Sequence, residues 1–193
     1  AYSLGTNTTG AANVAVGRGA LQVNTTGGFN TAVGTGSSTE NTTASNNTAF
    51  GGEALKKTTT ASSNTAVGTS TLACNTTGAT NSALGMQALK ANTTGEHNTA
   101  VGHNSLLANL TANQNVAVGN YTLDASTAGP NTAVGYCALS NVTGGAGNVA
   151  IGDLAGTDAV VNIVNGNNYI VLGNASSTNA YIKIDWTVTS DLR

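Results

Sequence analysis

Asn30-Thr31-Ala32-Val33-Gly34 is one of nine near-copies of a five-residue phrase, and its return at a fixed step decides the fold. The phrase runs from Asn13 to Gly17, Asn30 to Gly34, Asn47 to Gly51, Asn64 to Gly68, Asn81 to Gly85, Asn98 to Gly102, Asn115 to Gly119, Asn131 to Gly135 and Asn148 to Gly152. The step is 17 residues except once, where it is 16 and Pro130 stands before Asn131. A constant period of this length marks a solenoid, in which each repeat stacks on its neighbours. The third place is always Ala and the fourth always apolar, from Val16 through Phe50 and Leu84 to Ile151.

Working outward from the phrase, each rung reads as a strand, a tight turn, a second short strand and a polar return. After the Gly come two variable residues and then Ala-Leu or a variant, as at Ala20-Leu21, Ala54-Leu55, Thr71-Leu72 and Ala88-Leu89. The return is Asn-Thr-Thr-Gly at Asn24 to Gly27, Asn75 to Gly78 and Asn92 to Gly95. Its Gly tolerates positive φ and its Asn can bond the nearby backbone. Strand side chains alternate between two faces. The second and fourth places therefore share one face, and Ala and Gly share the other. With Val and Leu rows taken as the inward ones, the chain is all-β, a flattened parallel β-roll or β-solenoid with 17-residue rungs. The small Ala/Gly face is then left to be covered by further chains, which favours an intertwined or side-by-side homotrimer over a single long roll. The Asn that opens each phrase is expected to form an amide ladder that satisfies backbone groups at a bend.

The repeat domain is placed at residues 1–160, with a shortened first rung over 1–12 and regular rungs from 13. The opening in mid-repeat suggests a piece of something longer. Residues 161–193 are read as a cap or neck. They hold a heavier last phrase, Tyr169-Ile170-Val171-Leu172-Gly173, and an alternating run that puts Ile182, Ile184 and Trp186 on one side.

Composition narrows the function. There are 25 Gly, one Pro, 4% aromatic and 7% charged residues, against roughly a quarter charged in an ordinary domain. The phased aliphatic residues argue against the disorder that such a polar composition otherwise suggests. The net charge is −2 and the six Lys and Arg are scattered, so neither nucleic acid nor an anionic membrane surface is an expected partner. No apolar stretch is long enough for a membrane insertion. Cys74 and Cys137 lie four rungs apart, roughly 19 Å along a stack of parallel strands, too far for a disulfide.

The repeated Asn-Thr-Ala-Val-Gly-x-x-Ala-Leu with Asn-Thr-Thr-Gly turns resembles the repeats of bacteriophage tail fibres. More distantly it is similar to those in the heads of trimeric autotransporter adhesins, which are trimeric parallel β-rolls. The resemblance covers residues 1–173. Thr189-Ser190-Asp191-Leu192-Arg193 looks like the start of the intramolecular chaperone domain that follows many phage fibres. In that family the chaperone releases itself at a Ser-Asp junction, which here corresponds to Ser190 and Asp191. The resemblance implies a structural and adhesive fibre segment, extracellular on the virion. Its expected partners are two further copies, other tail proteins, and a bacterial surface receptor that is a glycan or a protein. A bacterial trimeric adhesin is the alternative.

No catalytic constellation, cofactor or metal site is read from the spacing of the acids. His97 and His103 sit at places that vary from rung to rung and are read as surface residues. A glycan-processing tailspike, with sites built between chains, is the rival from the enzymes. An ice-binding solenoid would need outward Thr rows, whereas Thr31, Thr48, Thr65, Thr99 and Thr132 are assigned to the face of the inward aliphatic row. Arg18, Tyr121 and Tyr136, beside the tight turns, are the candidate receptor-facing residues. The Asn-x-Thr/Ser sequons, such as Asn7-Thr8-Thr9 and Asn174-Ala175-Ser176, are read as turn sequence.

Overall fold

The computed structural model describes residues 2–178, so the proposed Ser190-Asp191 junction and the run from Tyr181 lie outside the described residues. The alternating phrase forms a three-residue strand in every rung: β1 (Val14–Val16), β2 (Thr31–Val33), β3 (Thr48–Phe50), β4 (Thr65–Val67), β5 (Ser82–Leu84), β6 (Thr99–Val101), β7 (Val116–Val118), β8 (Thr132–Val134), β9 (Val149–Ile151) and β10 (Ile170–Leu172). Each pairs in parallel with the next, in sequence order, to give one ten-stranded sheet. The molecule is thus a parallel β-solenoid with rungs of about 17 residues, and no helix occurs among the described residues. Identical places of successive phrases face one another, as Thr48 faces Thr65 and Ala49 faces Ala66.

Two exceptional rungs keep this register. The 16-residue rung loses its residue in the return, around Gly129 and Pro130, and Val116 still pairs with Thr132. The rung from Asn148 is longer, since Val149 pairs with Ile170. The extra residues form a loop closed by an antiparallel bridge between Thr157 and Asn162. The sheet therefore continues through β10, past residue 160.

The faces are the reverse of the expected ones. Ala points into the coil: Ala32, Ala49, Ala66, Ala100, Ala117, Ala133 and Ala150 are fully buried. Thr and Val point outward, and Val16, Phe50, Leu84, Val134 and Ile151 are all exposed. Alternation fixes which residues share a face, but the width of the coil decides which face goes inside. The inner Ala row belongs to the same core as Leu21, Leu55, Leu72, Leu89, Leu106, Leu123 and Leu139, all completely buried. Ala from one wall leaves room for Leu from the other. A second row of Val would overfill so thin an interior, and overpacking is itself destabilising. The chain covers its own Ala face, so that face is not the one available to other copies. The Thr residues of the phrase likewise belong to an outward row.

The expected second strand is also corrected. The Leu-bearing segment is a series of turns. Leu55, Leu72, Leu89 and Leu106 have φ of 50, 50, 51 and 51°. A left-handed conformation costs a non-glycine residue about 1–2 kcal/mol, while full burial of a Leu contributes about 1.5–3 kcal/mol. Burial outweighs the cost, and the backbone stays satisfied because Leu72 N–H donates to Ala88 at 3.0 Å and Leu89 N–H to Ser105 at 3.0 Å.

Two amide ladders run up the coil. The Asn opening each phrase accepts at Oδ1 from the backbone N–H of the next such Asn, as Asn47 does from Asn64 at 2.8 Å. Its Nδ2 donates to a carbonyl 14 residues on, as Asn47 does to Ala61 at 2.8 Å, which closes the rung on itself. The Asn of the return forms the second ladder: Asn92 Nδ2 donates to Asn75 Oδ1 at 2.8 Å and to Gly95 O at 3.0 Å. Beside it, Thr25, Thr42 and Thr76 donate their hydroxyls to the carbonyls of Thr42, Thr59 and Thr93. The Gly that ends the phrase is required twice over. At Gly85 φ is 130°, and a Cβ there would stand 2.5 Å from the Gly102 carbonyl oxygen one rung on.

Candidate functional site

Directly after that Gly the chain turns off the strand face, and the next two residues form an outward corner. These are the places the sequence varies most, so the corner changes chemistry from rung to rung. Near the N-terminal end it is charged. Arg18 lines a shallow groove with Gln22, Thr35, Thr39, Glu53 and Lys56. Glu53 and Lys56 form an ion pair there at 2.8 Å. The Lys56 hydrogen bond and charge hold the Glu53 carboxyl below its ordinary value, and Glu53 in turn raises Lys56.

Further along, the same corner becomes aromatic. His103 follows Gly102, Tyr136 follows Gly135, and Tyr121 stands second after Gly119 at φ 57°. The His103 and Tyr121 ring centroids are 5.1 Å apart and their planes meet at 85°. Tyr121 and Tyr136 are 6.2 Å apart at 82°. These are edge-to-face contacts, the arrangement that ring quadrupoles favour. Between the His103 and Tyr136 rungs, Asn120 is exposed and accepts the His103 backbone N–H at Oδ1, 2.9 Å away.

The flank of this corner is acidic. Burial of the half-covered Asp124 raises its carboxyl pKa, against the lowering effect of the backbone N–H groups of Ala125 and of Asp124 itself. Burial likewise pushes up the Cys137 thiol, which Asp124 and Asp153 also raise through their charge. The Tyr136 phenol is raised, first by its hydrogen bond with Cys137.

The structure thus brings Tyr121 and Tyr136 together and adds His103 to them. Arg18 is on the same corner but six rungs away, about 29 Å along the axis. His97 is exposed, at the bend before Asn98. Cys74 and Cys137 are both free thiols. No group of three or more His, Cys, Asp or Glu side chains converges among the described residues.

A second feature escaped the sequence reading altogether, because it depends on which face is inside. The outward side of the sheet is a strip of Thr and aliphatic side chains, three residues wide and ten strands long, with no charged residue in any strand. At about 3.3 Å per residue and 4.8 Å per strand it covers about 430 Å². A Thr-rich row and a wholly apolar row share that footprint.

Comparison with known protein families, with characterised proteins and with solved structures returned no match.

Proposed function

We propose that this chain is a structural and adhesive segment of an extracellular fibre of the bacteriophage tail-fibre type, in which several copies pack through their outward Thr/Val faces and present their corners to a bacterial surface. The uncovered strip carries this reading. Val16, Phe50, Leu84 and Ile151 stand in register along one side of a rigid sheet, exposed among the described residues. Exposed apolar rows of this kind favour protein contacts, and a second copy offers the same period and the same lack of charge. The likeness of the repeat to trimeric adhesin heads favours three copies. It also leaves a bacterial adhesin as the nearest variant of the same reading. Other tail proteins and a surface receptor are the partners this role requires.

A second reading has an observation in its favour. Thr31, Thr48, Thr65, Thr99 and Thr132 lie on an outward strand face in register, as an ice-binding surface needs. Ser82, Val116 and Val149 interrupt that row, and the bulk of Phe50 and Leu84 breaks its flatness, which favours assembly.

Light scattering separates the two. Three chains of 18.9 kDa each are expected in one particle. A particle of two chains would keep the covered face and overturn the number three. A folded monomer that depresses the freezing point without lowering the melting point would overturn assembly and establish the ice-binding role.

A further inference from the structure

We propose that the corner built by His103, Tyr121 and Tyr136 binds a neutral oligosaccharide of hexopyranose units lying along the coil axis. The inference deepens the adhesive reading and rests on it, since it names the class of surface group that the fibre would grip.

Three observations carry it. The rings pack on one another rather than into the core, and Tyr136 stays 53% exposed. In a chain with 4% aromatic residues, three successive rungs supply a ring to one exposed corner. Met86, 49% exposed, extends the apolar surface from the rung before His103.

The spacing is the second. Each rung advances by about 4.8 Å, and the ring centroids follow at 5.1 and 6.2 Å. That is the scale of one sugar unit. A pyranose presents a face of C–H groups to an aromatic ring and a rim of hydroxyls around it, and with adjacent rings perpendicular a run of units set along the axis meets ring faces and ring edges by turns.

The rim is the third. Asn120, between the His103 and Tyr136 rungs, is exposed; Asp153 follows Gly152 and so takes the place of Tyr136 one rung on, and Asp124 holds the place that Gln22, Thr39 and Lys56 hold beside the corner in other rungs. Amides and carboxylates accept hydrogen bonds from sugar hydroxyls, and the two negative charges repel uronic and sialic acids. Neutral sugars are therefore selected. A quaternary ammonium ligand would also welcome aromatic rings and carboxylates, but it needs ring faces converging on one point. Here Tyr121 stands nearly perpendicular to both of its neighbours, so the rings form a stepped strip rather than a cage.

Saturation-transfer NMR on the intact chain, with maltotetraose, cellotetraose and chitotetraose as probes and with sialyllactose and choline as controls, tests the proposal. At least one neutral tetrasaccharide should receive saturation, and neither control should. Tyr136→Ser and Tyr121→Asn should each weaken that binding by about tenfold or more. Asn tolerates the left-handed backbone at position 121, and an unchanged circular dichroism spectrum shows that each variant is folded. Lys57→Ser, at an exposed place away from the corner, should bind as before. The inference is overturned if none of the three sugars binds, if binding survives both tyrosine changes in folded protein, or if choline alone binds. Light scattering on the same samples keeps the two readings apart. An assembled particle that binds no sugar overturns this site alone, whereas a monomer that binds sugar upholds the site and removes the fibre.

Discussion

The two sides of each strand obey different rules. On the inward side the phrase places Ala in all nine rungs, while on the outward side the fourth place takes Val, Phe, Leu or Ile. The inner place faces a wall of Leu across a thin core, so its volume is fixed. The outer place is half-exposed or exposed among the described residues, so only its apolar character is kept. Uniformity here reports packing within one chain, and tolerance of size marks the surface left for something else.

Truncation on the two sides is the strongest way to break this comparison. Leu89→Ala, in the core, should cost about 2–5 kcal/mol, read as a lower midpoint in denaturant. Leu84→Ala, on the strip, should stay within about 0.5 kcal/mol for the single chain while weakening assembly, read by light scattering. Equal losses of chain stability would mean that the sides do not differ.

Enlargement sharpens it next. Ala100→Leu inserts volume into the filled interior and should destabilise by about 1–3 kcal/mol, whereas Val101→Leu, one residue on and outward, should barely move the melting temperature. A tolerated Ala100→Leu would show that the coil can widen.

A smaller effect of opposite sign is expected where the second amide ladder is interrupted. Thr58 stands in the Asn column between Asn41 and Asn75, and its buried hydroxyl has no hydrogen-bond partner. Thr58→Asn should bridge those two amides and raise stability by about 1 kcal/mol, measured by the same denaturant titration. A loss would mean that the column cannot close there.

The smallest effect concerns acid. Asp158 accepts the backbone N–H groups of Val160, Val161 and Ala175 in the loop of the long rung, and these bonds lower its carboxyl pKa. A carboxyl with a depressed native pKa contributes stability above its unfolded value, near 4, and loses it as pH falls through the native value. Protein with Asp158→Asn should therefore melt slightly below the parent at pH 6 and level with it near pH 2. A gap that persists into acid would remove the carboxylate from the account. The regular rungs have no such dependence built into their amide ladders.

Much of this was legible in the residues, and the rest was hidden for definite reasons. The period gave the rungs, their parallel order and the in-register pairing, because only stacking explains an apolar residue at the same phase nine times. Gly85 and its equivalents read correctly as turn residues, though their closeness to the next rung's carbonyl needed coordinates. The inward face did not read correctly. Thr65-Ala66-Val67 has the same alternation whichever way it is turned, and greater hydrophobicity argued for Val, while the narrow coil selects Ala. Leu89 looked like a strand residue because left-handed backbone is rare for a γ-branched side chain, and only its burial makes that conformation worthwhile. At the candidate site, Tyr121 and Tyr136 stood out as large residues at variable places. That His103 meets Tyr121 depends on the two places after the Gly sharing one corner, which the linear sequence does not display.

The hydrogen bonds between rungs carry one more consequence. Outside the long rung the backbone ones join residues 15 to 18 apart, so each rung knows only the one before it and the one after. Excision of Thr48 to Asn64 would bring Asn47 directly to Thr65, with Asn, Thr, Ala and Gly finding the partners they already have in kind. The coil is in this sense a ruler graduated in steps of about 4.8 Å. Its reach can be lengthened or shortened by whole rungs without redesigning any contact, and whatever sits at its corners travels with the graduation on which it is carried.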